Sequence, residues 1–334
     1  MLTIKLSVLD QSPIMTGLDA KEAFRQSTEL AKRTDELGYY RYWVSEHHSS
    51  HSLAGSAPEI LVAHLAANTN RIRVGTGGIL LPHYSAYKIA ESFRVLESLY
   101  PNRIDLGIGR APGGMPNVNL ALNNGRHPNV EHYPNQIREL MAYLHGEDPH
   151  GLNVYATPTG DTVPPIWMLG SSGTSARLAA DIGASYSFAH FINGYGGTRA
   201  MDRYLQAFQP SIQQKEPNGL VSIFAVCADT EERAEELAST LDLAILRIES
   251  GRGNEGFPTV EEAKQQQYSV FEKERIQENR SRMIVGSQQQ VKQQIEALAS
   301  SYSVDEVMVN TIVHPLEDRI RSYELLAEAF QLES

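Results

Sequence analysis

The segment LGSSGTSARLAA (169–180) is the clearest chemical signal in the chain: small hydroxyl and glycine residues pass straight into a helical pattern. Backbone N–H groups at a helix start, joined by the hydroxyls of Ser171, Ser172 and Ser175, suit a phosphate, and Gly173 lets the backbone approach it closely. Ordinary N-capping by serine would leave the same trace, and the segment lacks the GK[ST] ending of a nucleotide P-loop. Arg110, in GIGRAPGG just past an earlier apolar run, favours the anion reading, because a guanidinium there can pair bidentately with a phosphate.

His47 and His48 raise a second chemistry, with His51 and His64 close by in the chain. A metal would need ligands converging from several strand ends, and the other ends offer Arg110 and Asn310-Thr311, a poor set. Consecutive strand residues face opposite ways, so the spacing points to one working histidine beside a structural one. A neutral imidazole can serve there as a base or hold the polar edge of a cofactor. Gly77-Gly78 reads either as a β-bulge at a barrel rim or as flat backbone against which an aromatic ring can lie.

These residues need a scaffold, and the alternation of β-rich runs with helical patterns supplies one. Strand-like runs fall at 4–10, 41–48, 71–81, 103–109, 165–170, 185–191, 220–228 and 305–313. Helical patterns span Asp19–Gly38, Pro58–Asn68, Ser85–Leu99, Tyr133–Leu144, Thr174–Ile182, Thr198–Phe208, Thr230–Ile248 and Leu316–Phe330. Alternating elements over one continuous chain argue for parallel strands joined by right-handed crossovers. At this count and length a (β/α)8 TIM barrel forming a single domain over 1–334 is the expected fold, with a doubly wound open sheet as the alternative. The residues above then gather at one end of the barrel, together with Asp10-Gln11-Ser12 and His190. One polar stretch, about 249–283, breaks the rhythm as an insertion before the last βα unit. It reads either as a partly helical lid that helps cover the site or as a solvated excursion. The amphipathic helix of Ser287–Ser300 follows.

Bulk properties bound the partners. Forty acidic against 29 basic residues give a formal net charge of −11, which disfavours nucleic acid. One cysteine, Cys227, allows no disulfide within the chain. No apolar stretch approaches the ~18 residues of a membrane span, and the N-terminus lacks a leader pattern. A cytoplasmic protein is expected.

Five ordered segments, SVLDQSP (7–13), WVSEHH (43–48), VGTGGILLP (74–82), NRIDLGIGRAPGG (102–114) and LGSSGTSARLAA (169–180), resemble the bacterial luciferase-like (LLM class) flavin-dependent monooxygenases, and in particular their alkanal monooxygenase-like subgroup. The resemblance implies a luciferase-like (β/α)8 barrel with FMN at the C-terminal ends of the strands. Reduced FMN, supplied by a separate flavin reductase, would react with O2 through a flavin C4a-peroxide to oxygenate a small organic substrate. By position, His47 matches the catalytic histidine beside the flavin ring, and Gly77-Gly78 the non-prolyl cis peptide behind it. Arg110, Ser171, Ser172, Gly173 and Ser175 match the phosphate site. The resemblance also implies a homodimer built on the helices near 58–68 and 85–99, and no light emission. Two alternatives stay open: F420- or FMN-dependent hydride transfer on the same fold, and a flavin-binding protein without turnover.

Overall fold

The computed structural model describes residues 4–110 and 116–333. The first half runs β1 (Lys5–Asp10), α1 (Ala20–Glu36), β2 (Arg41–Val44), α2 (Pro58–Ala67), β3 (Arg73–Leu80), α3 (Ala86–Leu99), β4 (Ile104–Gly109), α4 (Pro116–Leu122) and α5 (Tyr133–Leu144). The chain continues through β5 (Ile166–Gly170), α6 (Gly173–Ile182), β6 (Ser185–Ala189), α7 (Gly197–Ala207), β7 (Gly219–Ala228) and α8 (Glu231–Glu249). It ends with α9 (Val260–Gln265), α10 (Val270–Arg280), β8 (Met283–Ser287), α11 (Gln288–Tyr302), β9 (Glu306–Asn310) and α12 (Leu316–Phe330).

Strands β1 to β7 pair in chain order, β7 pairs with β9, and β9 returns to β1. All these pairings are parallel, so eight strands close into a TIM barrel, and the open-sheet alternative falls. The ninth strand, β8, lies outside this ring and pairs only with the upper half of β7, Phe224–Ala228. It escapes sequence reading because its apolar signal is three residues, Met283–Val285, and its last residue doubles as the N-cap of α11.

Alternation along each strand sends every second side chain into the barrel. At the bottom, Arg41 bridges Asp105 and Glu306, each at 2.8 Å, and Arg73 reaches the other Asp105 oxygen at 2.7 Å. Ser7 donates to Glu306 at 2.6 Å. Above this ionic plug, Trp43 and Trp167 meet edge to face with ring centroids 5.3 Å apart, among Leu9, Leu220 and Met308. The Trp43 indole N–H donates down to Asp105 at 3.0 Å, which ties the two layers together. Gly75 makes room for them, since a Cβ there would stand 2.6 Å from the Asp105 Cβ and 2.9 Å from the Trp43 nitrogen.

The insertion is partly helical and anchored to the barrel, although most of its described residues stay exposed or half-exposed. Phe257 bridges to Met15, with Thr16 N–H donating to the Phe257 carbonyl at 2.8 Å and Phe257 N–H to Ile14 at 2.9 Å. Met15, Phe224, Leu241, Phe257, Met283 and Ile312 bury a second small core above strands β7 and β9. Helices α9 and α10 start in full capping boxes, at Thr259 and Ser269, which explains why so polar a segment is ordered. Ion pairs from Arg275 to Glu249 (2.7 Å) and Arg280 to Asp242 (2.8 Å) fasten α10 to α8.

Burial alone would raise the Asp105 carboxyl, but Arg41 and Arg73 beside it more than offset that and hold it below the usual carboxylate range. Its stabilising contribution is therefore complete above that range and is lost as pH falls below it. Asp105→Asn leaves buried guanidinium charge uncompensated and is expected to cost about 3–5 kcal/mol. Asp305→Asn, whose partner Lys5 lies 3.5 Å away with both side chains about half exposed, is expected to cost under about 1 kcal/mol. Urea unfolding of the two variants measures both, and equal losses would contradict the plug as the anchor of the barrel.

Candidate functional site

The C-terminal ends of the strands open onto a cavity of about 1380 Å³. The eight candidate catalytic and cofactor-binding residues all line it, namely His47, Gly77, Gly78, Arg110, Ser171, Ser172, Gly173 and Ser175, as does Gln11, whereas Asp10, Ser12, His48 and His190 do not. Residues far apart in the chain thus meet in one place. The insertion, by contrast, contributes no lining residue among those described, so the expectation of a lid gives way to an indirect role. Its Arg282 donates to the carbonyls of Phe191 and Ile192, and those two residues do line the cavity.

Strand β2 stops at Val44, earlier than expected, and Ser45 to His48 turn over the barrel mouth. Glu46 organises this turn. Its buried carboxylate accepts from Leu80 N–H at 2.8 Å and from the Tyr84 hydroxyl at 2.6 Å, and it lies 2.6 Å from His48 Nε2. His48 is thereby the structural histidine. His47 N–H donates to Gly55 at 2.7 Å, while its ring lines the cavity with Nδ1 buried and without a partner among the described residues. Burial, with the neighbouring His48 as a lesser cause, lowers its pKa to about 4. His47 is therefore a neutral imidazole near neutral pH, ready to accept a proton. Asp10 and Ser12, at the end of β1, are committed to structure: Asp10 accepts from Ser12 N–H at 2.8 Å, Tyr42 at 2.7 Å and Arg319 at 2.9 Å.

Beside the histidine, the Gly77-Gly78 peptide is cis, and the β3–β4 register shifts between Thr76 and Ile79. The register shift bears out the bulge reading, and both glycines line the cavity. A Cβ on Gly78 would stand 2.6 Å from the Gly107 carbonyl oxygen, so only glycine fits.

The start of α6 has the chemistry that suits an anion. Its N-cap, Ser172, makes no side-chain capping bond, so ordinary serine capping is not what this segment does. The loop carbonyls are already satisfied from elsewhere: Asn193 donates to Ser171 O at 3.0 Å, and Ser175 and Tyr186 donate to Ser172 O at 2.9 and 3.2 Å. No acidic residue occupies the first turn. What faces an incoming group is the unmet N–H end of the helix and its positive dipole. The Ser175 hydroxyl donates into the loop, so this residue offers the cavity chiefly its backbone N–H. Arg110, just past β4, carries no ion pair among the described residues.

Sequence reading missed Ser45, Tyr133 and Arg203, which also line the cavity. Ser45 and Tyr133 carry buried hydroxyls with no partner among the described residues. Ser45 precedes the Glu46-His47-His48 run and shares its turn, which was the available clue. Tyr133 and Arg203 sit inside helical patterns, where nothing in the spacing separates a site residue from a core or surface one.

A model of the family described as luciferase-like monooxygenase matches residues 4–305. The chain is 53% identical over 330 residues to the protein YwcH of Bacillus subtilis (strain 168), covering 98% of this chain and 99% of that one. It is 35% identical over 335 residues to the N-acetyl-S-alkylcysteine monooxygenase of the same organism, covering 98% of each. The solved structure of apo-MsnO8 matches the fold with a TM-score of 0.90 at 37% identity and covers 99% of each chain.

The state of His47 can be read directly. Its ring C–H resonance is expected to titrate with a midpoint near 4, and a midpoint near 6.5 would refute the buried neutral imidazole. A lowered folded pKa means that the unfolded chain binds the proton first. Stability should then fall as pH drops from about 6.5 towards 4, with His47→Gln flattening that part of the profile.

Proposed function

The chain belongs to the luciferase-like monooxygenase family, and from that premise we propose that it binds reduced FMN in this cavity and uses it with O2 to oxygenate a small organic substrate. The observation that carries the reading is the convergence, in one cavity, of an uncapped helix start, an unpaired arginine and a buried imidazole without a partner. These groups fit a flavin phosphate at one end and a reacting ring at the other.

The start of α6, Ser171, Ser172 and Arg110 hold the phosphate, which places it after β5 and β4 and not after the last two strands, where barrel phosphate sites are commonest. The Gly77-Gly78 backbone supports the ring, and Leu9, Trp43 and Met308 close the cavity below and keep water out. His47 takes up or returns a proton at Nδ1. When bound, reduced flavin supplies the electrons that activate O2. A separate flavin reductase is the source of the reduced cofactor in this reading. A homodimer through α2 and α3 accounts for the exposure of Ile60 (68%) and Leu99 (60%) on those helices.

Anaerobic titration with reduced FMN, FMN and F420 tests the cofactor. Reduced FMN should bind tightest, and tighter binding of F420 would overturn the reading. Arg110→Ala is expected to weaken FMN binding by about 10- to 100-fold, the weight of a charged hydrogen bond. His47→Gln should leave binding nearly intact and slow substrate-dependent O2 uptake by about 10²- to 10⁴-fold. Unchanged uptake in that variant would remove His47 from the chemistry.

A further inference from the structure

Arg110 is not the only guanidinium that lines the cavity without an ion pair among the described residues. Arg203, on the neighbouring helix α7, lines the same cavity, and its Nη1 stands 3.4 Å from where a Cβ on Gly173 would lie. Gly173 is the first residue of α6. Arginines nearby are occupied: Arg177 pairs with Asp181 at 2.9 Å, and Arg282 is spent on the Ile192 carbonyl at 2.9 Å. Arg203 has no hydrogen bond or ion pair among the described residues. A free guanidinium on a helix surface gains by extending into water, away from other positive charge. Here one is placed against the positive end of a helix that has no acidic residue in its first turn. Arg110 lines the same cavity, and although Glu131 and Asp181 line it too, neither Arg110 nor Arg203 forms an ion pair with them among the described residues.

A second observation points to the same occupant. Tyr133, the first residue of α5, is 2% exposed and lines the cavity, and its buried hydroxyl has no hydrogen-bond partner among the described residues. Burial pushes this phenol well above its usual range although the charge of Arg110 opposes the shift, so the hydroxyl stays protonated and is a donor. An orphaned buried donor calls for an acceptor, and beside unpaired cations an anionic one answers both.

We propose that Arg203 and Tyr133 complete the phosphate cradle of this cavity and make it selective for a terminal, dianionic phosphate monoester. The inference rests on the flavin reading above and assigns two residues that the strand-end motifs do not contain. Arg110 from β4, the N–H groups of α6, Arg203 from α7 and Tyr133 from α5 then meet one phosphate from separate elements. A neutral flavin without phosphate forfeits all four contacts. A phosphodiester carries one charge fewer and cannot use two guanidiniums equally well.

Binding constants for FMN and for riboflavin, measured by flavin fluorescence on the full chain, test it. The parent protein should prefer FMN; no preference would overturn the phosphate-site reading itself. Given that preference, Arg203→Ala should raise the FMN dissociation constant by about tenfold, and Tyr133→Phe by about threefold to tenfold. Riboflavin binding should change less than about twofold in both, and Arg203→Lys should recover part of the loss for FMN. A variant that only loosens α7 or α5 would weaken both ligands equally, and that outcome refutes the proposal while leaving Arg110 and α6 in place. Retention of the full FMN preference in Arg203→Ala would refute it too.

Discussion

The buried ion cluster of Arg41, Asp105 and Glu306 is the constraint on which the rest of the barrel depends. Charges removed from water must be paired and hydrogen-bonded, and here three strands each contribute one member, so the ring can close only in the register that brings them together. The cluster seals the bottom of the barrel, and the two tryptophans stacked above it fill the middle. Neither layer leaves room for a ligand. The upper mouth is therefore the place where the interior remains open, and the chemistry of this fold has nowhere else to gather.

Above the packed layers the character of the interior changes. Glu46 spends its carboxylate on Leu80, Tyr84 and His48, which holds the β2 turn so that His47 faces inward. The loop after β5 spends its carbonyls on Asn193, Tyr186 and Ser175, which leaves its N–H groups unmet. In both cases a fully satisfied set of hydrogen bonds holds a neighbouring unsatisfied group in place. The chain carries a net charge of −11, yet Arg110 and Arg203 line the cavity without an ion-pair partner among the described residues, while Arg177 is paired with Asp181. Unpaired cations of this kind attract a small anion locally while the surface as a whole repels a large one.

Much of this was legible in the sequence because strand ends are where glycine, serine, histidine and arginine stand out against apolar runs. LGSSGTSARLAA and GIGRAPGG could be read as neighbours as soon as the βα rhythm was recognised, since adjacent strands deliver their ends side by side. Strand β8 was not legible, because three apolar residues between a polar helix and a capping box carry no period. The order in 250–282 was hidden for a related reason: it rests on two capping boxes, ion pairs to α8 and a single bridge through Phe257, none of which produces a hydrophobic pattern. Tyr133 and Arg203 were hidden differently. Their distinction is the absence of a partner, and only a folded chain can show that.

The manner in which α9 and α10 are attached carries a consequence for how such barrels diversify. Their fastenings run to α8 and to the small core around Met15 and Phe257, while the ladder that closes the ring bypasses them through the direct β7–β9 pairing. Length and sequence in this appendage can change without disturbing the register of the eight strands. The appendage reaches the cavity wall through Arg282 on the Phe191 and Ile192 carbonyls, and no hydrogen bond or ion pair joins it to the start of α6 among the described residues. Lineages, or engineers, can thus exchange this cassette to reshape one side of the cavity while the opposite side is inherited unaltered.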